Sequence, residues 1–183
     1  VENKPGAGGN LGAELAVRSP SDGYTLLLVA GSYTVNPSIY KLTFDPVNDI
    51  TPIIQLSQGP FIVTVHPSVP VNTLKELIEY ARKQPDKLSY ASAGSGSITH
   101  LASAMFIDMA RIKMVHIPYK GTGPALNDAI AGNVQVLFGS PSTTIPHVKS
   151  GRLRALAVTT TKRISAAPEL PTVAEAGVPG YEV

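Results

Sequence analysis

The chain contains no cysteine, which excludes a disulfide framework and a thiolate nucleophile, and leaves the redox compartment unread: a mature periplasmic and a cytoplasmic protein both fit. A dominant charge is lacking too. Fifteen Lys and Arg stand against 13 Asp and Glu, a formal +2, and basic runs are no longer than the pairs Arg82-Lys83 and Lys162-Arg163. That balance argues against a nucleic-acid partner, which needs a basic stripe. No apolar run approaches the roughly 20 residues of a membrane helix, and no charged-then-apolar leader opens the chain. The sequence begins on VENKPGAGG, without Met, as though a strand were already ending, and closes on PTVAEAGVPGYEV as an extended segment begins. The expectation is a fragment at both ends.

What is present is enough to fold. The 183 residues are 43% apolar, sufficient for a good core in one domain or two small lobes. Sixteen Gly and 16 Pro serve as punctuation between elements. Apolar runs predict strands over 24–29 (YTLLLV), 51–56 (TPIIQL) and 61–66 (FIVTVH). From Asn72 the rhythm changes to alternating units: helix 73–84, strand 88–92, helix 97–110, strand 113–117, helix 123–131, then strands 134–138 and 153–158. Such alternation predicts an α/β fold with a parallel sheet covered on both faces. Thr73 with Glu76 makes a capping box, and Pro85 forbids continuation of that helix. Gly132 supplies a left-handed stop. A lobe boundary is expected near His66-Pro67-Ser68, dividing the chain into 1–66, 67–170 and a returning segment 171–183.

The stretch AGSGSITH, 93–100, falls where a strand ends and a helix begins, which is where open parallel sheets place ligands. Free N–H groups and the helix dipole there favour an anion. Ser92, Ala93, Gly94, Ser95, Gly96, Ser97 and His100 are the candidate contacts, with Ser95, Ser97 and Thr99 as neutral donors. No Lys or Arg lies in the cluster, so a carboxylate would be held by dipoles and hydroxyls and released readily, as a carrier requires. The bland alternative is a Gly/Ser turn with a serine N-cap, the commoner outcome at such junctions. The stretch is neither a dinucleotide fingerprint, since Thr99 stands where a third glycine belongs, nor a P-loop, nor a nucleophile elbow. Other strand-end loops offer Ser32, Tyr33 and Thr34, then Tyr119, Lys120 and Thr122, then Ser140. The four histidines show no metal-ligand spacing, so neither metal nor cofactor is expected. Ser97, His100 and Asp45 together would suit a serine hydrolase, but nothing in the spacing unites them.

Seven stretches in order, ENKPGAGGNLGAE, DGYTLLL, NPSIY, YASAGSGSITHLA, VHIPYKGTGPAL, GRLRALAVTT and ELPTVAEAGVPGYE, resemble the Bug family. These are TctC-like extracytoplasmic solute receptors of tripartite tricarboxylate transporters. The resemblance implies a periplasmic-binding-protein fold of the Venus-flytrap type, with two α/β lobes of mainly parallel strands, the first incomplete here. It also implies a periplasmic, monomeric protein that closes over a small carboxylate and delivers it to membrane permease subunits, without catalysis.

By resemblance, Ser92, Gly94, Ser95 and Ser97 are the second-lobe contacts. The partner loop, the first strand and a signal peptide are expected before Val1. The family often carries Asp where this chain has Gly139 or Ser140, which implies weaker selection for amine-bearing ligands. Hinge positions are expected near His66-Pro67 and Thr159 to Thr161. The alternatives that remain are the effector-binding domain of a transcription regulator, sharing the two-lobed architecture, and the serine hydrolase.

Overall fold

In the computed structural model, which describes all 183 residues, the alternating region forms a five-stranded sheet. Its strands are β1 (Ile62–Val65), β2 (Ser89–Ser92), β3 (Val115–Pro118), β4 (Val136–Gly139) and β5 (Arg154–Val158), in the order β3-β2-β4-β1-β5. β2 runs parallel to β3 and β4. β1 is antiparallel to both β4 and β5, and its register against β5 shifts between Val63 and Thr64, where β5 carries Leu156 as an extra residue. The sheet is mainly parallel, as the alternation predicts, with one exception: β1 precedes the first β/α unit and enters from the opposite direction. It lies inside the sheet and ends at Val65, so the expected lobe boundary near His66 falls just after a strand of this same sheet.

The helices follow their signals. In α3 (Leu74–Lys83), Thr73 Oγ1 accepts from the Glu76 N–H while Glu76 accepts from Asn72 N–H, and Leu74, Leu77, Ile78 and Ala81 are buried. Periodic apolar residues on one side and two capping acceptors at its start make this helix locally consistent. α4 (Ile98–Ala110) is capped by Ser97, and α5 (Thr122–Ala131) stops at Gly132 with φ +80°. α6 (Pro141–Lys149) starts on a proline, whose fixed φ suits a first turn.

Two clusters pack the sheet, because successive strand residues face opposite sides. Tyr90, Val136 and Phe138 join α3 and α4 in the larger one, while Ala91 and Leu137 meet Ala125 and Ala129 of α5 in the smaller. Val173, Val178 and Tyr181 belong to the larger core, with the Tyr181 hydroxyl donating to the Ala102 carbonyl at 3.0 Å. Residues 173–181 therefore pack against this sheet and α4.

Before β1 the chain holds α1 (Asn10–Val17), α2 (Asn36–Ile39) and two 3-10 turns, Ala7–Gly9 and Gly31–Thr34. The strands expected over 24–29 and 51–56 do not form. Both stretches carry no regular secondary structure and pair with nothing in this sheet. Leu26, Leu28, Ile53, Ile54 and Leu56 are each 70% or more exposed. Composition supplies strand propensity, but a strand exists only where a neighbour takes up its N–H and C=O groups.

Candidate functional site

Because β2, β3 and β4 are adjacent and parallel, the loops leaving their carboxyl ends share one edge of the sheet. The loop 93–97 lies between the other two, so it is bordered by Tyr119 to Gly121 and by Ser140. The Tyr119 N–H donates to Ser92 O at 3.0 Å and the Gly121 N–H to Ala93 O at 3.1 Å, stitching two of the loops together. Gly94 sits at φ +130°, where an L side chain is strained, and a Cβ would stand a tight 3.1 Å from the Tyr119 carbonyl oxygen.

Within the loop, most donors are already used. Ala93 N–H goes to Thr99 Oγ1, Gly94 N–H to Ser92 Oγ, Gly96 N–H to His100 Nδ1, Ser97 N–H to Gly94 O and His100 N–H to Ser97 Oγ. The N–H groups of Ser95, Ile98 and Thr99 find no acceptor in the chain. They sit at the amino end of a 13-residue helix, where the peptide dipoles add a partial positive charge. An anion is the ligand such an arrangement holds, and no basic side chain is needed to attract it.

The side chains of the loop do structural work. Ser92 is fully buried, and its hydroxyl meets His116 Nε2 at 2.7 Å and Gly94 on both backbone atoms. Ser97 is the N-cap and also meets Thr99 Oγ1 at 3.2 Å. Ser95 alone among the three serines is exposed. The His100 and His116 rings stack at 4.0 Å, with Tyr90 against His116 at 4.9 Å. Burial, then the neighbouring His100, pulls His116 down to about 4, and burial lowers His100 as well.

The other expected positions divide. Ser32 is buried and directs its hydroxyl to the Gly8 carbonyl, one layer behind the loop. Tyr33 donates to Pro46 O at 2.8 Å and stacks on Phe44, away from the cluster. Tyr119 contributes its backbone, while its phenol donates to Asp128 at 2.6 Å and is pushed up to about 12 by burial and by that carboxylate. Lys120 is exposed. Ser140 heads α6 and bonds within it, through Thr143 and Thr144. Asp45 binds its own turn at Val47 and Asn48, so Ser97, His100 and Asp45 are not brought together as a hydrolase would require. No group of three or more His, Cys, Asp or Glu gathers as a metal site. No helix is long and apolar enough to cross a membrane.

Sequence reasoning missed the residues that cover the loop from the first third of the chain. Tyr40 donates to the Ser95 carbonyl at 2.6 Å and lays its ring on Gly96. Gly8, at φ +66°, lies so close that a Cβ would stand 3.3 Å from Ser95 O, and Asn36 holds the Gly8 carbonyl at 3.2 Å. The Asn36 and Asn10 amides pair at 2.8 Å, both buried. The signal was NPSIY, legible as a motif without an assignable role.

Fold and loop together define an α/β sheet domain with unclaimed helix-start N–H groups at the carboxyl edge of its parallel strands. The chain belongs to the tripartite tricarboxylate transporter family receptors, whose model matches residues 1–183. Among curated relatives, Protein BugT of Bordetella pertussis is 33% identical over 188 residues, covering 99% of this chain and 56% of that protein. A protein from the gbd 5′ region of Cupriavidus necator is 37% identical over 178 residues, covering 97% and 54%.

The periplasmic binding protein BugD is similar in structure, with a TM-score of 0.91 at 38% identity, covering 100% of this chain and 62% of that one. An R. palustris protein solved with adipate gives 0.94 at 38%, with the same coverage. MatC from Rhodopseudomonas palustris with bound malate gives 0.87 at 29%, covering 97% and 61%. The chain spans about half the length of the curated relatives it matches.

Proposed function

We propose that this protein is the periplasmic receptor of a tripartite tricarboxylate transporter, capturing a small dicarboxylate and presenting it to the permease subunits. The observation that carries the reading is the trio of unclaimed N–H groups at Ser95, Ile98 and Thr99, aimed from a helix start at the shared edge of three parallel strands. In this reading those donors take one carboxylate, Ser95 adds its hydroxyl, and Ser92, Ser97 and His100 hold the loop. A site of dipoles without a fixed cation binds reversibly, which suits delivery better than chemistry. The adipate and malate held by the two similar proteins are both dicarboxylates, which supports this class. Position 139 is glycine and 140 serine, so neither brings a carboxylate to meet a ligand ammonium; succinate should bind better than aspartate.

The test is calorimetric titration and thermal unfolding of the full-length protein with adipate, malate, succinate, citrate, benzoate and aspartate. A ligand at 100 times its Kd adds about 2.7 kcal/mol of stability, a visible rise in Tm. Ile98→Pro then removes one donor without disturbing the helix. Ile98 is the first helical residue, and Ser97 at φ −65°, ψ 157° already has the backbone a following proline demands. Affinity should drop about tenfold or more, the worth of one hydrogen bond to a charged group, whereas Ile98→Ala should keep it. No response to any acid, or equal binding by Ile98→Pro, would refute the assignment.

A further inference from the structure

The peptide that joins Ser95 to Gly96 is held from both sides. Its carbonyl accepts from the Tyr40 phenol at 2.6 Å, and its N–H donates to His100 Nδ1 at 3.2 Å. The two partners come from different parts of the molecule: Tyr40 follows α2 in the first third, and His100 belongs to the first turn of α4. Tyr40 leaves no room for choice at Gly96, where φ is +74° and a Cβ would stand 2.8 Å from the ring. His100 is itself held by stacking on His116, which Ser92 fixes from β2. Since ψ of Ser95 and φ of Gly96 both turn about this peptide, clamping it sets how the chain enters α4 and where the loop's free N–H groups point.

We propose that Tyr40 and His100 are positioning residues which clamp the Ser95–Gly96 peptide, aiming the loop's donors at the ligand only while the first-third segment is seated on the loop. The proposal rests on the receptor reading above. Tyr40 need not touch ligand; without it, Ser95 O loses a partner and Gly96 regains rotational freedom, so the donors lose their common direction. His100 serves as acceptor only through an unprotonated Nδ1. Once protonated, it would oppose a donor to the Gly96 N–H. The titratable groups facing it are His116 from β3 and Tyr90 from β2, and Glu14 and Lys41 line the groove beside Tyr40. Burial alone lowers His100, while His116 is lowered by burial and then by the neighbouring His100.

The experiment uses the full-length protein, with adipate as probe for affinity and isotope-edited NMR for the ligand-free loop. Tyr40→Phe keeps the ring on Gly96 and removes one hydrogen bond, so adipate affinity should fall about fivefold, as should that of His100→Ala at pH 8. His100→Asn returns an acceptor to the Nδ1 position. It should recover most of the His100→Ala loss and, unlike the wild type, hold that affinity as pH falls from 8 to 5. In the ligand-free wild type the Gly96 amide should titrate with the His100 ring, and in His100→Asn it should not. A Gly96 amide indifferent to His100, or Tyr40→Phe and His100→Ala binding like wild type, overturns the clamp. If the wild type binds no acid at all, the receptor reading fails while the amide titration still decides the clamp.

Discussion

Gly139 ends β4 opposite Ile62, and a Cβ built there would fall inside the van der Waals contact of Thr144 Cγ2 on α6. Thr144 is fully buried, and its hydroxyl donates to Ser140 O at 2.8 Å, so it cannot swing aside without leaving that bond unmade. Gly139→Ala should therefore destabilise by about 1–3 kcal/mol, the usual cost of forcing a methyl into a packed site. Thr144→Ser removes the obstructing methyl and keeps the hydroxyl, at about 1 kcal/mol for the lost burial.

The double variant should cost less than the sum of the two by at least about 1 kcal/mol, because the new methyl occupies the space the old one vacated. Urea denaturation of the full-length protein reads the cycle, provided the m-value is unchanged. Additivity within about 0.5 kcal/mol would refute the packing argument. The same contact bars an aspartate at 139 unless residue 144 shrinks first, which gives the glycine a steric reason.

Tyr181 is 1% exposed, meets Phe106 edge-on and donates to Ala102 O. Tyr181→Ala should cost about 3–5 kcal/mol in the same denaturation assay and Tyr181→Phe about 1 kcal/mol; a neutral Tyr181→Ala would mean that the closing segment does not pack on this lobe. Stability should also depend on pH through His116. Its folded value is about 4, below the ordinary 6.5, so the unfolded chain binds the proton first. Stability is unaffected above the ordinary histidine range and declines as pH falls from there towards about 4. His116→Asn should flatten that slope between pH 6.5 and 4, and an unchanged slope would locate the titration elsewhere.

Much of the region from Asn72 onward was legible because its signals are local. Thr73 with Glu76, Ser97 before Ile98 and Gly132 act within one turn of their own helix, so their meaning survives without knowledge of neighbours. Apolar alternation likewise placed β2, β4 and β5 to within two residues. The strand-to-helix junction at AGSGSITH could be read as an anion site for the same reason, since the donors of a helix start come from its own backbone. The family, too, was legible in the order of seven short stretches, and the match to residues 1–183 agrees.

What the sequence by itself determined, then, was the α/β class, the three helices α3, α4 and α5 and the strand-to-helix junction at 93–100, each a matter of contacts between near neighbours in the chain. Only the tertiary structure decided the antiparallel entry of β1, the failure of 24–29 and 51–56 to become strands, and the arrival of Tyr40, Gly8 and Asn36 on the loop. Tyr40 stands 55 residues from Ser95, and no propensity or spacing encodes a meeting at that distance. Pairing partners and covering side chains are set by which surfaces come together once the core has formed, and that is a property of the packed molecule.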